Sequence, residues 1–102
     1  MEPFMKAYVK VDVIFQEDGQ MRPRAIYWEG VAYPVDRVLS IDRAASQRVG
    51  GQGDRYRVKV LGQDRYLFFE HATDQTTSAK PGRWFVEARR IPLLKYPPFP
   101  EE

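Results

Sequence analysis

IYWEGVAYPVDRVLSIDR, residues 26–43, decides how this chain folds. It reads as two extended pieces separated by Gly30 and Pro34. A glycine inside a strand pattern marks a bulge or a corner. A proline cannot donate to a ladder, so residues 33–35 belong at an edge or a strand start. In a bent sheet one strand has to serve both halves, and Gly30 is the expected bend. Trp28 and Tyr33 then pack one inside and one at the rim. Packing alone explains this stretch, because aromatic side chains mostly bury area.

The flanking sequence is also extended. KAYVKVDVIFQ, residues 6–16, places Val9, Val11, Val13 and Phe15 on one face and Lys10 and Asp12 on the other. That period-two pattern is a strand half in water. EDGQ, residues 17–20, is an Asp-Gly turn of the hairpin kind. The next strand runs from Arg24 to Trp28. Residues 42–55 lose periodicity around Gly50, Gly51 and Gly53 and read as a loop. YRVKVLGQDRYLFFEH then forms a hairpin: Tyr56, Val58 and Val60 alternate with Arg57 and Lys59, Gly62-Gln63-Asp64 turn, and Tyr66 to Glu70 return. ATDQTTSAKPG, residues 72–82, is a second polar loop. RWFVEARRI is the last strand, with Trp84, Val86 and Ala88 on one side and Phe85, Glu87 and Arg89 on the other. The expected fold is all-β, a small antiparallel SH3-like or partly open barrel of five to six strands. Residues 1–90 make one domain. Residues 91–102 make a Pro-rich extended tail with four prolines and two aromatics.

Composition sets the outer bounds. The chain has 102 residues, 43% hydrophobic and 29% charged, enough for one self-sufficient domain. It has no cysteine, which excludes disulfides and thiolate ligands and fits a reducing cytoplasm. No apolar run approaches the ~20 residues of a membrane-spanning helix. The first ten residues lack the basic and apolar regions of a signal peptide. A soluble cytoplasmic protein without membrane partners is the expectation. The net charge of +2 is uneven: residues 1–21 sum to −2, residues 91–102 to −1, and residues 22–90 hold +5. The bases of that middle region are nearly all arginine, whose planar guanidinium forks onto phosphate and carboxylate and stacks on rings. Four of them have an acid next to them in sequence: Asp36 by Arg37, Asp42 by Arg43, Asp54 by Arg55, Asp64 by Arg65.

The order W-x-G-x-x-Y-x-V (Trp28, Gly30, Tyr33, Val35), Y-R-V (Tyr56 to Val58), Y-L-F-F-E (Tyr66 to Glu70) and G-R-W-F-V (Gly82 to Val86) resembles a family of small bacterial domains of unknown function. Its members are stand-alone proteins or appendages of relatives of translesion DNA polymerases. The resemblance spans roughly residues 20–90. It implies a fold and an association with DNA metabolism, and it carries over no catalytic residues.

Catalysis has little to work with. His71 is the single histidine, and alternation points it away from its neighbour Glu70. No cofactor is expected, and no second His or Cys exists to build a zinc site. VGGQG in the long loop lacks the spacing of a phosphate-binding loop. The expected function is a non-enzymatic binding module for single-stranded nucleic acid, which small barrels bind with aromatics for bases and cations for phosphates. Arg24, Arg57, Lys59 and Arg65 fall on or beside strands, and Arg48 and Arg55 lie on the adjoining loop. Trp28, Tyr33 and Tyr66 are the candidate stacking platform. The bland counterpart is a solvated sheet face. The alternative function is a protein-interaction module or homodimer, in which the tail around Tyr96-Pro97-Pro98-Phe99-Pro100 docks on a barrel groove.

Overall fold

A computed structural model of the chain describes residues 4–43, 53–71 and 82–89. These residues form seven strands: β1 (Phe4–Phe15), β2 (Met21–Trp28), β3 (Val31–Pro34), β4 (Arg37–Arg43), β5 (Gly53–Val60), β6 (Gln63–His71) and β7 (Gly82–Arg89). All pairings are antiparallel, in the order β3-β2-β1-β7-β6-β5-β4. The sheet curls into a small, partly open barrel, all-β as expected and with one strand more than the sequence suggested. The extra strand comes from residues 26–43, which contribute to three strands rather than two.

Gly30 is not a mid-strand bend. Glu29 and Gly30 have φ of 51° and 80° and form the two-residue connection between Trp28 and its partner Val31. Positive φ at both central residues is the mark of the type I′ hairpin turn, whose twist matches the strands it joins. Leu61 and Gly62 repeat it with φ of 53° and 73°, so the β5–β6 turn lies ahead of the expected Gly62-Gln63-Asp64. The strand that serves both halves is β1. Residues 4–9 pair with β7 and residues 10–15 with β2, and the ladder slips between Asp12 and Val13. The extra residue at that slip is Arg24 of β2, between Ala25 and Pro23, and such an irregularity bends the bulged strand and increases the local twist.

The corner lies at Val35 and Asp36. β3 pairs at one end of the strand order and β4 at the other, yet only these two residues separate them. Val35 N donates to Arg24 O on β2 at 2.9 Å, and Asp36 N donates to Lys59 O on β5 at 2.8 Å. Beyond the corner β4 follows β5 instead of β2, which leaves a seam. Tyr56 reaches across it, its hydroxyl donating to Met21 O at 3.4 Å.

The inner face holds the core: Ala7, Ile26, Tyr33, Tyr56, Val58, Val60, Leu67, Phe69, Trp84, Val86 and Ala88. Val9, Val11 and Val13 pack against it, as the β1 alternation requires. Phe15 shares their side but lies at the strand's end, 68% exposed. Trp84 anchors the aromatic part of the core, its ring 5.0 Å from Tyr56 and 4.9 Å from Phe69. Residues 91–102, and with them the expected tail, lie outside the described residues. So do residues 44–52 of the expected loop, while Asp42, Arg43 and Gly53–Arg55 belong to strands.

Candidate nucleic-acid interface

Alternation sends every second side chain outward, and the registers decide which of them meet. Arg55 lies opposite Phe68, Arg57 opposite Tyr66, and Lys59 opposite Asp64. Phe68 lies opposite Phe85, and Phe85 opposite Tyr8. The outer face of β5, β6, β7 and β1 therefore carries a ladder of four rings. Tyr66 and Phe68 have centroids 6.3 Å apart, Phe68 and Phe85 stack at 5.0 Å and 11°, and Tyr8 meets Phe85 edge-on at 6.0 Å. Such pairs contribute about 0.5–1.5 kcal/mol beyond the area they bury. The two middle rings are buried, and the outer two, Tyr66 and Tyr8, are 46% and 43% exposed.

Cations lie against this ladder. The Arg83 guanidinium sits 3.8 Å from the Tyr8 ring centroid, and the Arg55 guanidinium 5.0 Å from that of Tyr66. Lys6 Nζ is 5.1 Å from the Phe85 centroid. Glu70 is the hub at one end. Its carboxylate accepts from Lys6 and, at 2.7 Å, from the Tyr8 hydroxyl, and it lies 3.7 Å from Arg83. The Lys6 hydrogen bond is the main reason its carboxyl titrates below the usual carboxylate value, with burial opposing and Tyr8 assisting. The same contact raises the Tyr8 phenol. Asp64 is the hub at the other end, 3.0 Å from Arg57 and 3.3 Å from Lys59. The Arg57 hydrogen bond leads in holding its carboxyl down. Arg55 pairs with Asp42 at 3.3 Å, and its buried Nε has no hydrogen-bond partner among the described residues. Lys6, Arg55, Arg57, Lys59 and Arg83 thus gather on this face against Asp42, Asp64 and Glu70, and Glu87 stands opposite Lys6 in the β1–β7 register.

The structure brings Arg55, Arg57, Lys59 and Tyr66 together on one face, with Arg55 on β5 rather than on the expected loop. Arg65, next to them on β6, donates to Asp64 O and to Gln63 Oε1. Arg24 lies across the Val35–Asp36 corner from Lys59. Arg48 lies outside the described residues. The expected three-ring platform does not form. Tyr33 is only 8% exposed and belongs to the core, and Trp28 packs against that core, so both face inward while Tyr66 faces outward. Acid–base pairing is also redistributed. Sequence neighbours such as Asp54 and Arg55 point to opposite faces, so the carboxylates pair across strands instead: Asp42 with Arg55, Asp54 with His71 at 3.2 Å. Tyr8, Lys6, Arg83 and Phe85 were missed. Alternation places Tyr8 beside Lys10 and Phe85 beside Glu87, but only the β1–β7–β6 register unites them.

No family model matches the chain, and no curated protein or solved structure matches it.

A cleft of about 650 Å³ is lined by Phe15, Gln20, Ile41, Asp54, Tyr56 and His71, among others. Among the described residues no set of three or more His, Asp or Glu is grouped to hold a metal ion. Nor is any helix there long and apolar enough to cross a membrane.

Proposed function

We propose that this domain is a non-enzymatic binding module that takes single-stranded nucleic acid on the outer face of β5, β6, β7 and β1. One observation carries the reading: a continuous ladder of four rings is bordered by five cations, Lys6, Arg55, Arg57, Lys59 and Arg83. Tyr66 and Tyr8 offer exposed rings to unstacked bases, worth about 1–3 kcal/mol per base. Arg55, Arg57, Lys59, Lys6 and Arg83 offer donors to phosphate. Their pairing with carboxylates does not prevent this, because ion pairs open to water are worth about 0–1 kcal/mol and yield to a better anion. The lack of cysteine fits a cytoplasmic setting.

Fluorescence anisotropy of a labelled single-stranded oligonucleotide over a salt series tests the proposal. Log affinity should fall linearly with log salt, about 0.7 units of slope for each phosphate neutralised. R57A/K59A should flatten the slope, and Y66A should weaken binding at every salt concentration. D64N should tighten binding, because it releases Arg57 and Lys59 without removing a cation. Failure of the wild-type chain to bind at low salt ends the reading.

A further inference from the structure

β4 carries the outer face on beyond β5. Arg37 lies directly opposite Lys59 in the β4–β5 register. The next pair along, Val38 and Val58, turns in to the core, so Arg37 and Lys59 point outward together. Like charges directly opposite one another destabilise a pair of strands. Asp64, the carboxylate paired with Lys59, is shared with Arg57 and leaves Arg37 uncompensated.

The corner brings β2 to the same place. Arg24 O accepts from Val35 N and Lys59 O from Asp36 N, so one peptide unit separates the backbone of Arg24 from that of Lys59. Arg24 is the extra residue of the β2 bulge, a device that re-aims a side chain. Pro23 is buried while Arg22 and Arg24 on either side of it are exposed, so both arginines point outward. Among the described residues Arg22, Arg24 and Arg37 make no ion pair. The acids around them are few. Asp36 is exposed at the corner itself, and Asp12, opposite Ala25, already accepts from the Tyr27 hydroxyl at 2.8 Å. Glu17 and Asp18, in the turn ahead of β2, end the positive track beyond Arg22.

We infer that Arg24, Arg37 and Lys59 form a phosphodiester site at the Val35–Asp36 corner, so that a single strand whose bases meet Tyr66 continues over β4 towards β2. The inference rests on the nucleic-acid reading and extends its footprint past the β5 face. Guanidinium groups fork onto phosphate, and an anion between Arg37 and Lys59 offsets the repulsion these two cations exert on each other. The reach is short. From β6 to β4 is two strand spacings, ~10 Å, well within the roughly 4–16 nucleotides that one OB-type barrel covers.

The test uses the full chain and a labelled single-stranded oligonucleotide of about 12 nucleotides, followed by fluorescence anisotropy over a salt series. R24Q/R37Q should weaken binding at low salt and lower the log–log slope by about 1.4, two phosphates' worth. The same variant should melt no lower than wild type at low salt, because it removes a like-charge pair and no ion pair. In the wild-type chain, the amide signals of Arg24, Asp36 and Arg37 should shift with that of Tyr66 as the oligonucleotide is added. Binding that shifts Tyr66 but leaves the corner signals in place, or a slope that R24Q/R37Q does not change, overturns the corner site and leaves the nucleic-acid reading standing. A wild-type chain that binds no oligonucleotide at low salt ends both.

Discussion

Val35 and Asp36 are adjacent in the chain, yet their amides donate to different strands on the two sides of a corner, Val35 to Arg24 O on β2 and Asp36 to Lys59 O on β5. One peptide unit thereby joins the two ends of a seven-strand order. Asp36 has an exposed side chain, so its contribution is its backbone. Asp36→Pro, which removes the donor, should lower unfolding free energy by about 1–3 kcal/mol. Asp36→Ala, which keeps it, should cost less than about 0.5 kcal/mol. Urea denaturation of both variants measures the contrast, and equal losses would show that the corner amide does not hold the barrel.

Leu61 occupies the first central position of a type I′ turn with φ of 53°, a conformation that crowds Cβ against the following carbonyl and that Asn tolerates better through local hydrogen bonds of its short side chain. It is 38% exposed, so little packing depends on it. Leu61→Asn creates the Asn-Gly pair that such turns favour. Stability should rise by about 0.5–1 kcal/mol, and Tm by several degrees. Thermal unfolding followed by circular dichroism decides it; a lower Tm would mean that the leucine's packing outweighs its backbone strain.

Gly53 opens β5 with φ of 152°, and a Cβ there would come within 1.8 Å of Phe69 O. Since Phe69 is held in the core, the backbone cannot retreat cheaply. Gly53→Ala should cost about 2–3 kcal/mol. Gly19 also has positive φ, 88°, but faces open space, so Gly19→Ala should cost only about 1 kcal/mol. The ranking of the two midpoints in denaturant is the measurement, and the reverse order would contradict this account.

Glu70 ties the face to pH. Its carboxyl is depressed in the folded chain, so its contribution is present above the pKa of the unfolded chain and is lost as pH falls through the folded value. Stability should therefore decline below about pH 4.5, and E70Q should remove part of that decline at a cost near 1 kcal/mol at neutral pH. Tyr8 behaves oppositely. Its phenol is raised, chiefly by the hydrogen bond to Glu70, so its share persists through pH 10 and disappears above it. In E70Q the Tyr8 titration, followed by ultraviolet absorbance or ring NMR shifts, should move down towards 10.0. A Tyr8 titration that ignores the substitution would separate the two residues.

Much of the fold was legible because β-structure writes itself locally. Val9, Val11 and Val13 face in because side chains alternate, and Trp84, Val86 and Ala88 do so for the same reason. Gly30 was misread because a glycine at a bulge and a glycine at a type I′ turn look alike until the pairing of Trp28 with Val31 is known. The site was legible only in part. Arg57 and Lys59 could be placed on one face of their own strand, but Tyr33 could not be assigned to the core before Ile26 was known to lie opposite it.

The amino-acid sequence alone determined strand type, the two faces of each strand and the arginine-rich middle, because these depend on period-two geometry and composition. The tertiary structure alone decided which faces meet. Register is a long-range property: the β1–β7–β6 pairings join Tyr8, Phe85 and Phe68, residues distant in the chain, into one ladder and place Lys6 at Glu70. The corner at Val35 and Asp36 is of the same kind, since the carbonyls that capture those amides belong to strands on either side of them in sequence.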